Sequence, residues 1–138
     1  MNIVLDTNVL LVSLSSRSAY YLIYSALCEK VYDLYLTNEI LTEYEEQIGI
    51  RLGLNRTDIQ LIELLNLPNV HKIEPYYNWQ LIEADKDDNK FADCAVSCNA
   101  DYLVTNDRHY DILSTIEFPE IRTLKAAEFL EILQKLTA

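Results

Sequence analysis

Glycine is almost absent: the 138 residues hold only Gly49 and Gly53. Loops that cradle phosphate with backbone amides need several closely spaced glycines, so neither G-x-G-x-x-G nor G-x-x-x-x-G-K-[ST] chemistry is available. The G-x-S-x-G nucleophile turn is excluded for the same reason. Proline is sparse at three residues, and no Pro/Gly/Ser-rich tract marks a linker, so residues 1–138 read as one domain. Basic residues are outnumbered 11 to 22 by acidic ones, a net charge of −11. Nucleic acid held by a broad basic face calls for the opposite balance, so a phosphate substrate must be met by a local patch or by bound metal. The three cysteines, Cys28, Cys94 and Cys98, form no even disulfide framework. Cys94 and Cys98 share a helix face, but a zinc site needs two more ligands, and His71 and His109 are far apart in sequence. The apolar stretch from Ile3 to Leu14 is interrupted by Asp6 and Asn8 and falls short of the ~20 residues of a membrane span. With no leader pattern before it, the chain is expected to be cytoplasmic.

What the chain does contain is an alternation of short apolar runs and amphipathic stretches. Ile3-Val4-Leu5 suits a buried strand and leads into a polar turn. Tyr20, Ile23, Tyr24 and Leu27 predict a helix over Ser18–Lys30. Leu34 to Thr37 reads as a strand, and Ile40, Leu41, Tyr44 and Ile48 mark a helix from Asn38. A further helix is expected over Asp58–Leu65, ending before Pro68, and a weak strand over Val70–Ile73. A short helix is expected over Asn78–Ala84. The charged run Asp85-Lys86-Asp87-Asp88 then opens a helix with Phe91, Cys94, Ala95 and Cys98 on one face. Strands over Asp101–Thr105 and Ile121–Thr123 precede a closing helix carrying Ala126, Ala127, Leu130, Leu133 and Leu136. This order predicts an α/β fold with a mostly parallel central sheet flanked by helices on both faces.

Ligands of open α/β sheets bind beyond the carboxyl ends of the strands. Two strands end there in acid, at Asp6 and at Asp107. Helical geometry selects among the other carboxylates. Asp88 lies one turn before Phe91 and Ala92 and leans over the buried face, whereas Asp93, about 140° around, should face solvent. Asp85 and Asp87 can act as caps or outer acids. Glu43 shares a side with Ile40 and Tyr44; Glu39 is its rival one turn earlier, and Glu45 and Glu46 should be solvated. Four inward acids repel one another unless a hard divalent cation joins them, and magnesium prefers carboxylate and water oxygens.

Ile3-Val4-Leu5-Asp6-Thr7-Asn8, Glu43-Tyr44, Asp87-Asp88-Asn89-Lys90-Phe91 and Asp101-Tyr102-Leu103-Val104-Thr105-Asn106-Asp107-Arg108 follow one another along nearly the whole chain. In that order they resemble the PIN-domain nucleases, above all the bacterial VapC-like toxins of toxin–antitoxin systems. The resemblance implies a single PIN-like domain and a metal-dependent ribonuclease. Its acids map onto Asp6, Glu43, Asp88 and Asp107, the four that geometry selects. Asn8 and Thr105 map onto supporting positions, Asn8 orienting Asp6. Lys86 replaces a frequent Pro and Asn106 a frequent Gly, so the turn into Asp107 is left open. The implied reaction is hydrolysis to a 5′-phosphate and a 3′-hydroxyl. Asp6, Asp88 and Asp107 would hold one or two Mg²⁺ or Mn²⁺ ions, and Glu43 a second ion or the water.

Lys90 and Arg108 are candidate phosphate contacts; their alternative is pairing with nearby acids. His109 is either a proton donor or an ordinary loop residue. Tyr76, Tyr77 and Trp79 are candidate interface residues. RNA, an antitoxin protein and a second copy of the chain, as homodimer, are the implied partners. The competing reading is a catalytically weak PIN-like module that acts through protein contacts. A phosphatase of the haloacid dehalogenase type is excluded, because it needs a second Asp where Asn8 stands.

Overall fold

The computed structural model describes all residues from Met1 to Ala138. Five strands, β1 (Asn2–Leu5), β2 (Asp33–Leu36), β3 (Val70–Lys72), β4 (Tyr102–Val104) and β5 (Thr123–Leu124), form one sheet of order β3-β2-β1-β4-β5. Every neighbouring pair is parallel. Six α-helices intervene: α1 (Thr7–Ser13), α2 (Tyr21–Cys28), α3 (Asn38–Leu52), α4 (Leu54–Asn66), α5 (Asn89–Ser97) and α6 (Ala126–Thr137). Two 3₁₀ segments, Lys86–Asp88 and Arg108–Thr115, lie before α5 and after β4.

Ile3, Val4 and Leu5 are all fully buried. Successive strand residues point to opposite faces, so both faces of β1 are covered, as a parallel sheet requires. Helix α5 packs on β1, β2 and β4, and α2 packs on α6, where the buried rings of Tyr32 and Phe129 meet edge to face at 5.2 Å. Tyr44, on α3, is buried and its hydroxyl donates to the Leu5 carbonyl at 2.6 Å. This bond ties α3 to the residue before Asp6. Removing the hydroxyl leaves a buried acceptor short of a donor, so Tyr44→Phe should cost about 1–2 kcal/mol and lower the melting temperature by a few degrees. An unchanged melting temperature in that variant would remove the bond from the account.

The alternation of elements is as the sequence predicts, with four corrections. The expected polar turn after β1 is absent, because Asp6 caps α1 directly, its side chain accepting from the Thr7 N–H. Residues 78–84 form no helix but lie as irregular chain against α5, with Gln80 at a φ of 54°. Asn89 holds this run by exchanging two hydrogen bonds with the Ile82 backbone (2.8 and 3.0 Å). Asp93 does not face solvent: it is buried under the same run, accepting from the Trp79 N–H at 3.0 Å. Helix α4 starts at Leu54, four residues before the expected position, because Gly53 (φ 82°) turns the chain directly from α3 into α4. No helix is long and apolar enough to cross a membrane.

Candidate metal centre

In the order β3-β2-β1-β4-β5 the sequence of strand addition reverses between β1 and β4, and a doubly wound sheet opens its ligand crevice at the carboxyl ends of such a pair. Asp6 leaves β1 there, its N–H donating to the Val104 carbonyl at 3.0 Å and so extending the β1–β4 ladder by one rung. Asp6 is buried. Its Oδ1 accepts from the Thr7 N–H at 2.8 Å and its Oδ2 from the Thr105 hydroxyl at 2.7 Å. Burial nonetheless pushes its carboxyl up to about 6, against those two bonds and with help from Asp88 and Glu43.

Asp88 ends the first 3₁₀ turn and leads into α5. Its Oδ2 is shut off from solvent and makes no hydrogen bond. Its pKa is raised by burial, then by Asp85 and Asp107. Asp107 follows β4 and caps the second 3₁₀ segment through the His109 N–H at 2.9 Å, while its own N–H donates to Thr105 at 3.1 Å. Thr105 therefore touches both strand-end acids. The buried phenol of Tyr110 is driven strongly upward, first by burial and then by Asp6, Asp88 and Asp107, and its hydroxyl stands 3.4 Å from the Asp88 carbonyl.

Glu43 approaches from α3. It accepts from the Thr7 hydroxyl and pairs with Lys90 at 2.8 Å. The rival Glu39 is exposed, on the outer part of the same helix. Lys90 also donates to the Asp87 carbonyl at 2.8 Å, so its ammonium is held by protein groups, the alternative weighed for it from the sequence. Arg108 is exposed at the start of its segment. Asn8 is exposed on the first turn of α1, and Asp6 is oriented by Thr7 and Thr105 instead. Asn106, at the turn left open by the sequence, accepts from the Ala126 N–H at 2.9 Å and so anchors the turn into Asp107 to the start of α6.

Sequence reasoning undervalued two residues. The tightest set of metal-ligating groups is Asp85, Asp88 and His109, whose ligand atoms all lie within 4.8 Å of one another. The His109 Nδ1 stands 3.4 Å from Asp88 Oδ2 and 3.5 Å from Asp107 Oδ1. The available signal was local: an imidazole two residues after a strand-end acid shares that acid's cap. A solvent-excluded carboxylate oxygen that makes no hydrogen bond, beside the Asp85 carboxylate and the His109 imidazole, fits a hard divalent cation. A groove of about 960 Å³ lies beside this centre and shares Asp87 and Lys90 with it. None of Asp6, Glu43, Asp88 or Asp107 lines it, and it carries Glu39, Glu74, Glu83, Asp87 and Asp93 against two lysines. Such a lining repels phosphate.

The family model described as the PIN domain matches residues 2–109. The chain belongs to the PIN domain family. All the acids considered above fall within that span, which carries nuclease chemistry at the level of the family. Among solved structures, the crystal structure of VapBC2 from Rickettsia felis bound to a DNA fragment from their promoter aligns with a TM-score of 0.63. The identity is 17%, over 91% of this chain and 98% of that one. PAE2754 from Pyrobaculum aerophilum aligns with a TM-score of 0.61 at 15% identity, over 98% of this chain and 96% of that one. At these identities both relatives establish the fold of this PIN domain. No curated protein matches the chain in sequence.

Proposed function

We propose that this PIN domain is a divalent-metal-dependent endoribonuclease, acting in the cytoplasm as the toxin of a toxin–antitoxin pair. The observation that carries the reading is the solvent-excluded Asp88 Oδ2, which makes no hydrogen bond and has the His109 Nδ1 3.4 Å away, with Asp85 beside it. Asp6, Asp88 and Asp107, with Asp85 and His109 beside them, would hold one or two Mg²⁺ or Mn²⁺ ions. When bound, the metal supplies a water of lowered pKa and neutralises charge on the phosphodiester as it is attacked. The chain's own groups then have distinct tasks. Thr7 and Thr105 fix the Asp6 carboxylate, Thr105 fixes the Asp107 backbone, and Thr7 and Lys90 fix Glu43, which orients the attacking water. Arg108 is left to meet a substrate phosphate.

The purified chain, freed of any partner, is expected to cut single-stranded RNA in Mn²⁺ or Mg²⁺, leaving 5′-phosphate ends, and to stop on chelation. Failure with both metals leaves the second reading, a protein-binding module. One surface favours a protein partner in either case. The α3–α4 hairpin exposes Ile50, Leu54, Ile59, Ile62 and Leu65, an aliphatic face suited to an amphipathic helix such as an antitoxin would bring. The VapBC2 relative is itself a two-component assembly. A homodimer goes with the same reading and is tested by the mass of the chain in solution.

A further inference from the structure

Residues 74–84, between β3 and the first 3₁₀ turn, make no backbone–backbone hydrogen bond. Three side chains of α5 hold them instead. The Ser97 hydroxyl accepts from the Tyr76 N–H at 3.1 Å, and Asp93 accepts from the Trp79 N–H at 3.0 Å. The Asn89 amide accepts from the Ile82 N–H at 2.8 Å and donates to the Ile82 carbonyl at 3.0 Å. Asn89, Asp93 and Ser97 are spaced by four residues, so they stand on one helix face in steps of about 6 Å. Their partners follow in the opposite chain direction, which makes the three contacts a ladder.

The rungs are not equivalent. A hydroxyl or carboxylate that accepts a single N–H leaves the chain free to swivel about that bond. A carboxamide matches the donor and the acceptor of one residue together and fixes its orientation. This double rung is the one beside the acids: Asn89 follows Asp88, and the buried Ile82 lies three residues before Asp85. Among Asp85, Asp88 and His109, whose ligand atoms gather within 4.8 Å, Asp88 leads into α5 and His109 belongs to the second 3₁₀ segment. Asp85 instead stands at the end of the irregular run. Its Oδ1 accepts from the Asp87 N–H at 3.0 Å and its carbonyl from the Asp88 N–H at 3.2 Å, so it is tied to the turn, and the Asn89–Ile82 pair closes residues 82–89 from outside that turn.

We infer that Asn89 is a positioning residue for the metal centre: by clamping Ile82 it holds Asp85 against Asp88, within reach of one divalent ion. This rests on the metal-dependent reading above. Outer groups that orient metal ligands typically cost about 10–100-fold in affinity when removed.

Mn²⁺ binding to the full-length chain is titrated by calorimetry at pH 7.5 without RNA, and the site is the part of the heat that Asp6→Asn/Asp88→Asn loses. Asn89→Ala should weaken this site about tenfold or more. Ser97→Ala, which removes the far rung, should leave it within about twofold. In an Asp85→Asn background, adding Asn89→Ala should change the affinity by less than about twofold, because the group it positions is gone. Raised Mn²⁺ should restore RNA cleavage by Asn89→Ala, with KM for RNA unchanged. Melting in chelator reports the fold, and the emission of Trp79, the only tryptophan, reports the tethered run. If Asn89→Ala does not fold, Asn89→Gln, which keeps a neutral amide one methylene out of place, is measured instead and should show the same loss. Equal weakening by the Asn89 and Ser97 variants makes the ladder a matter of stability alone and overturns the inference, as does an undiminished loss in the Asp85→Asn background. If wild type binds Mn²⁺ and the Asn89 variant binds equally, the inference falls and the metal reading stands. If wild type shows no such site, the metal reading falls and takes the inference with it.

Discussion

Asp6→Asn is expected to melt several degrees above wild type in chelator at pH 7.5, while cutting RNA at least about 100-fold more slowly. The reason for the first half is the cost of a buried charge. The Asp6 carboxyl titrates at about 6 in the folded chain against 3.8 for an ordinary aspartate, burial being the main cause. Between these values the folded form binds more protons than the unfolded one, so ion-free stability falls as pH rises through that window. The full loss, above about pH 6, is roughly 3 kcal/mol. Asparagine keeps the shape without the charge and forfeits part of the Thr7 and Thr105 bonding, leaving a net gain of about 1–2 kcal/mol. The gap between variant and wild type should therefore close as pH falls from 6 toward 4. The second half follows if Asp6 binds metal, since losing a preorganised charge at the reacting phosphate costs about 3 kcal/mol of barrier. A variant less stable than wild type at pH 7.5, or a gap independent of pH, would show that Asp6 carries no buried-charge penalty.

The second large effect runs through the same charges in the opposite direction. Millimolar Mn²⁺ should raise the melting temperature of the wild type at pH 7.5. Occupancy at 100 times the dissociation constant stabilises by about 2.7 kcal/mol, which is roughly 5–10 °C for a domain of this size. The acidic surface could gather ions without a site, so the control is Asp6→Asn/Asp88→Asn, in which the rise should largely vanish. At pH 5 the wild-type rise should shrink, because a protonated Asp6 must release its proton before it can ligate. An equal rise in both proteins would disperse the metal over the surface and remove the shared centre.

Both expectations concern residues that were legible in the sequence. Asp6 and Asp107 end apolar runs, so their place at the carboxyl edge follows once the runs are strands. Asp88 and Glu43 follow from the angular spacing of their helices, which sets them on the sides of Phe91 and Tyr44. Helix α1 was hidden because Ile3 to Leu14 is apolar through both a strand and a helix, and short apolar runs show no period to separate them. The family match covers the same residues from which the acids were chosen, since the spacing of strand ends and helix faces is what such a family preserves.

The alternating pattern of apolar runs thus determined, by itself, an α/β fold, and it put Asp6 and Asp107 just beyond the ends of two strands, because burial periodicity and strand ends are local properties of the chain. Tertiary structure decided what covers what. Residues 78–84 lack helical structure because Asn89 and Asp93 bond the backbone of Ile82 and Trp79 from another element, and that same packing buries Asp93. It also brought His109 onto Asp88 and Lys90 onto Glu43. Pairings of this kind join residues whose separation along the chain carries no periodic trace, so they exist only once the sheet has set its strands side by side.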